Sequence, residues 1–233
     1  MSILALPYFR PYVIGVLHFM LLLNGAQRQM NAKIQLELMN IPLIKMLEQE
    51  GIQLVKEQEK AADHKLERSM FKGSSLIVAV QGYMQKNPQV VTTGETEAFL
   101  SDEGEYLSPV EDMNDVIEVL KIVTGPLHKA VFGLSDSTVL SEGEVFTTAL
   151  LAAAAKFADM TNFDQLLAAL KRLVADVESG KDPLALETYW DVYGKIKSGK
   201  GRKIRSIICT AFLEYFRGNC KRLEWEENAK VYE

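Results

Sequence analysis

The feature that most constrains this chain is an uncharged stretch near its N-terminus. From Pro11 to Gln27 there are seventeen residues with no formal charge, and Tyr12 to Leu23 is apolar on every helical face except at Gly15 and His18. A helix that is apolar all round must be buried against something other than water. Three burials compete. A secretory signal would have an apolar core of suitable length, but Arg10 is a thin basic region and Asn24-Gly25-Ala26 is a poor cleavage site. A membrane span would sit at the short limit and would carry Pro11 and His18. Burial in a protein core or subunit interface needs only an ordinary helix length, and it is the reading we favour. The candidate contact residues are Tyr12, Val13, Val16, Leu17, Phe19, Met20, Leu22 and Leu23.

The rest of the chain reads as a helical protein. With 48% hydrophobic and 24% charged residues it is not globally disordered. Apolar residues recur at helical spacing, no βαβ pattern appears, and no repeat period is found. The expected fold is all-α: an irregular multi-helix domain with an N-terminal apolar helix and a long polar helix region. We divide it at 1–25 (apolar helix), 26–87 (long-helix region), 88–108 (acidic loop) and 109–233 (compact helical domain).

Local signals place the helices. Asn40 before Ile41-Pro42 predicts a helix start, and that helix is expected to continue through Leu54 and Val55 past a weak point at Gly51. Its charged continuation, residues 56–68, reads as a solvated face rather than a coiled coil. Ser74 and Ser75 are expected to cap a helix from Leu76 to Gln85. Ser108-Pro109-Val110-Glu111 and Ser141-Glu142-Gly143-Glu144 read as capping boxes, the second opening an Ala/Leu-rich helix that ends near Met160. Asn162 or Thr161 caps the next, which carries Leu166, Leu167, Leu170, Leu173, Val174 and Val177, with Gly180 closing it. Asp182-Pro183 is expected to open another, ended by Gly194, and a last helix to run from near Lys203 into the Trp225 region. That last helix would hold Cys209 and Cys220 about 16 Å apart, too far for a disulfide, so both read as reduced.

No motif for catalysis or metal binding is complete. Gly194 to Gly201 lacks the hydroxyl that a P-loop places after its lysine, since Gly201 follows Lys200. The histidines at 18, 64 and 128 fit no zinc spacing. We expect no enzyme, no cofactor, no metal and no small-molecule substrate.

Charge is segregated instead. Asn87 to Leu120 carries nine acids and no base, while Lys195 to Arg222 carries nine bases and only Glu214. The acidic segment of one copy could meet the basic segment of the next, a head-to-tail contact. Alternatively Lys195, Lys197, Lys200, Arg202, Lys203 and Arg205 could bind nucleic-acid phosphate, with Tyr189, Trp190 and Tyr193 upstream as stacking groups. An anionic membrane surface and a solvated loop are the other readings; the three aromatic residues suit helix packing better than stacking. The first expectation is therefore a structural subunit of a homo-oligomeric assembly, cytoplasmic or in a virion. The alternatives are a nucleoprotein-like nucleic-acid binder and a membrane-inserting protein.

Overall fold

In a computed structural model of the chain, the described residues are 36–37, 40–55, 71–89, 113–135, 137–141, 144–196 and 200–230. In chain order the elements are α1 (Ile41–Gln49), β1 (Leu54–Val55), β2 (Phe71–Lys72), α2 (Gly73–Met84), α3 (Met113–Ile122), a π turn (Val123–Leu127), α4 (His128–Ser135), α5 (Glu144–Met160), α6 (Phe163–Glu178), α7 (Leu186–Lys195), α8 (Lys200–Arg217) and α9 (Trp225–Ala229). The all-α fold is as the sequence reads. The apolar N-terminal segment, the charged 56–68 stretch, most of the acidic loop and the Ser108 capping box lie outside the described residues.

The core forms around α5, because its sequence offers no polar face over ten residues. Every residue from Phe146 to Ala155 is buried. Four consecutive alanines, Ala152 to Ala155, keep its surface low, so α2 and α8 approach closely. At Gly82 of α2 an added Cβ would lie 2.9 Å from Thr148 Cγ2 and 3.0 Å from the Thr148 carbonyl oxygen, so only glycine fits that crossing. On α8 the stripe Ile204, Ile207, Ile208, Ala211, Phe212, Tyr215 and Phe216 is buried, the pattern of one helical face. Arg205 meets Glu144 at one end of the α5–α8 pair, and Arg217 donates to Met160 Sδ at the other. The two helices therefore run in the same direction. Phe146 anchors an aromatic cluster with Tyr189 at 5.3 Å, Phe212 at 5.6 Å and Trp225 at 6.1 Å between ring centres. One hydrophobic cluster draws on both 36–83 and 113–225.

Several boundaries differ from those expected, for identifiable reasons. The first helix stops at Gln49, because Gly51 takes φ +82° and turns the chain. Leu54–Val55 is then extended and pairs in parallel with Phe71–Lys72. The second helix starts at Gly73, and neither serine caps it. Instead the buried carboxylate of Glu37 accepts from Ser74 N at 3.0 Å, placing a negative charge at the helix's positive end. Asp182-Pro183 forms a turn rather than a helix start; Asp182 Oδ1 accepts from Ala185 N at 3.0 Å, and α7 begins after Ala185 in left-handed conformation, φ +48°. Gly194 does not end α7, which runs to Lys195. The last long helix begins at Lys200 and ends at Arg217, where Gly218 takes φ +80°. Cys220 thus lies beyond it, not on the helix with Cys209, and both thiols are free. The Asn162 cap is as read: its Oδ1 accepts from Gln165 N at 2.9 Å, and Gly180 closes α6 with φ +78°.

Candidate interaction surface

Helix α7 and the start of α8 hold the sequence's candidate binding residues. Trp225 positions α7: its indole N–H donates to the carbonyls of Leu184 at 2.7 Å and Ala185 at 3.0 Å. Leu223 N donates to Pro183 O at 2.8 Å, and Arg222 pairs with Asp182 at 3.0 Å. Two strands of contact therefore clamp the segment that opens the helix. Leu186, Tyr189 and Val192 point inward at three-residue spacing. Burial pushes the Tyr189 phenol well above its ordinary range, aided by nearby Tyr193.

Trp190 is rotated about 100° from Tyr189 by the helix geometry and faces out. It is 49% exposed. Its ring packs edge-on against Tyr189 at 4.8 Å and against half-buried Tyr193 at 5.6 Å. So Tyr189 is a core residue, as expected, while Trp190 is not. The neighbouring charges are mixed: Glu187, Asp191 and Lys195 are exposed on the same helix. Lys195 pairs with Glu226 at 3.4 Å, a surface contact of little energetic weight.

The basic set does not stay together. Arg205 is only 5% exposed and lies 3.6 Å from Glu144, so its charge is committed inside the fold and is withdrawn from any external partner. Arg202 is exposed and Lys203 half-buried. Lys197 and the side chain of Lys200 lie outside the described residues, as do Tyr12, Val13, Val16, Leu17, Phe19, Met20, Leu22 and Leu23. Farther along, Arg217 pairs with Glu214 at 2.7 Å. The sequence count of basic charge thus overstates what the surface offers. What remains is a first turn of α8 with cations and no acid, which opposes the helix dipole. Gln89 fastens this turn, its Nε2 donating to Arg202 O at 2.7 Å and Ser206 Oγ at 2.6 Å.

Other reactive groups are unactivated. Burial pushes both cysteine thiols up, away from the thiolate form. Among the described residues no group of three or more His, Cys, Asp or Glu is placed to hold a metal ion, and no helix is long and apolar enough to cross a membrane.

Sequence reasoning missed three features. The exposure of Trp190 had a signal: adjacent Tyr189 and Trp190 cannot both face one core stripe. The π turn also had one, in Thr124-Gly125-Pro126 inside an apolar helical pattern. The Glu37 cap had none, since its partner is 37 residues away. Set beside known protein families, curated proteins and solved structures, the chain finds no match in any of the three.

Proposed function

We propose that this chain is a non-enzymatic structural subunit that assembles with copies of itself. The observation that supports this reading is Trp190, a half-exposed tryptophan and the one aromatic among the exposed large hydrophobic side chains of the described residues. Tryptophan is enriched at the energetic centres of protein interfaces, and such centres are ringed by polar residues. Glu187, Asp191 and Lys195 form such a rim. The acids beside Trp190 also favour a protein partner over phosphate. Charge complementarity favours a second copy: the stretch from Asn87 to Leu120, with acids and no base, matches exposed Arg202 and half-buried Lys203 in the first turn of α8. The apolar Tyr12–Leu23 segment supplies a second contact in the same assembly.

Sedimentation of the full-length chain across micromolar concentrations tests this. Self-association is expected, weakened about thirtyfold by Trp190→Ala, the loss of a 2 kcal/mol centre. Deleting residues 1–25 is expected to abolish assembly while leaving helicity largely intact. A chain that stays monomeric throughout rejects the reading.

A second reading is supported by the acid-free cationic first turn of α8. It makes the chain a nucleoprotein-like binder of single-stranded nucleic acid through Lys195, Lys200, Arg202 and Lys203. Binding should then fall steeply with salt, and reversing the charges at Lys200, Arg202 and Lys203 should flatten that dependence. No binding to single-stranded RNA or DNA at low salt removes this reading.

A further inference from the structure

The helical path from Met113 to Ser135 is interrupted by the π turn Val123–Leu127, where the chain carries Gly125 and Pro126. Pro126 has no N–H to give to the ladder. Thr124 Oγ1 donates to the Leu120 carbonyl one turn back, at 2.8 Å, and His128 N closes the turn on Val123 O and Gly125 O. Such bulges hold an extra residue in a helix and persist only where surrounding contacts enforce them.

The side chain that follows the turn is His128. It is 4% exposed and its Nε2 is buried without a hydrogen-bond partner. Its ring meets Phe71 of β2 edge-on at 5.0 Å and stacks on Phe132 at 6.4 Å. An aromatic of similar size would fill that slot without an orphaned nitrogen, so the imidazole is an anomaly of chemistry, not of shape. We propose that His128 is an acid-sensitive latch: proton uptake drives its ring from the Phe71–Phe132 slot and lets the π turn open away from β2.

The electrostatics agree. Burial alone lowers the imidazole below its ordinary range. Among the described residues no carboxylate is ion-paired with the ring to hold a proton there. On its own helix Lys129 is exposed, and β2 adds Lys72. On α3, Asp115 and Glu118 are exposed, and Lys121 pairs with Glu50 at 2.6 Å and Glu118 at 3.4 Å. On α6, which packs against α4, Asp164, Lys171 and Glu178 are exposed, Arg172 donates to Tyr215 O and Asp176 pairs with Lys181. A neutral buried histidine contributes stability above its unfolded pKa. That contribution is lost as pH falls from there through the lower folded value.

Hydrogen exchange of the full-length chain tests the latch. Once intrinsic exchange is corrected for, amides from Val123 to Val131 are expected to lose protection by up to about tenfold per pH unit below about pH 6.5, as one-proton linkage requires. His128→Phe is expected to keep that protection flat with pH. Equal loss in both chains, or none in either, overturns the proposal. If His128→Phe does not fold, NMR titration of the unmodified chain decides. A His128 midpoint below the ordinary value, moving together with the Phe71 ring signals, supports the latch. A midpoint at or above the ordinary value overturns it.

Discussion

Two tryptophans touch the same ring and do opposite things. Trp225 lies 5.1 Å from Tyr189 and is fully buried, its N–H satisfied by two carbonyls. Trp190 lies 4.8 Å from Tyr189 and leaves half its surface in water. Tyr189 is thus a partition between a core that folds the chain and a face still free to meet another molecule. Large aromatic surface stabilises only where water leaves it. The fold uses that surface at Trp225, and at Trp190 half of it stays in water.

The contrast is easiest to break at Trp225. Trp225→Ala is expected to cost about 3–5 kcal/mol in denaturant unfolding, through the cavity and the loss of the indole donor to the Leu184 carbonyl, since Ala185 O keeps Tyr189 N. A cost below that of a surface substitution would mean that α9 does not hold α7. Next comes a pair of glycines. Gly82→Ala should cost about 1–3 kcal/mol, since its Cβ meets Thr148 at 2.9 Å. Gly194→Ala, on the α7 surface with nothing within 4 Å, should instead stabilise by roughly 0.5–1 kcal/mol through helix propensity. Thermal unfolding of the two variants gives both signs.

A smaller effect tests how α6 is fastened to α8. The Lys181 ammonium, and then the Tyr215 hydroxyl at 2.9 Å, hold the Asp176 carboxyl below the usual range. A depressed carboxylate contributes stability above its unfolded pKa and loses it as pH falls through its folded value. Wild type should therefore exceed Asp176→Asn by about 1 kcal/mol at neutral pH, and the gap should close below about pH 4. At the other extreme, the Tyr215 phenol is pushed up to about 12, first by burial and then by Asp176, so its share persists at neutral pH and is lost as pH rises from about 10 through that value. Smallest of all, Trp190→Ala should shift stability by no more than about 0.5 kcal/mol. A large loss of stability there would sink the division between the two tryptophans.

What was legible in the sequence follows the range of each interaction. Helix α6 could be read almost completely, because Asn162, the leucine stripe and Gly180 are all local. The same holds for the end of α5 at Met160. The start of α2 could not, because its cap is a carboxylate brought from residue 37 by the fold. Leu54–Val55 read as a continuation of the first helix, and the pairing with Phe71–Lys72 that makes them a strand is not visible locally. In the candidate surface, the basic residues were visible but their partners were not: Glu144 and Glu226 stand 61 and 31 residues from Arg205 and Lys195. Charge counted along a chain is not charge available on a surface.

The same-direction pairing of α5 and α8 carries a consequence for how the chain is made. Helices that run the same way cannot close as a local hairpin, so α6 and α7 must intervene. Helix α5 is complete at Met160, but the face that α8 covers stays open until Arg217 has been added. At about 5–20 residues per second, those 57 residues take roughly 3–11 s. For that interval α2, made earlier, can cover one face of this alanine- and leucine-rich helix, while the face that awaits α8 stays uncovered. A helix buried without a break from Phe146 to Ala155 in the finished molecule therefore passes through synthesis with one of its faces still bare.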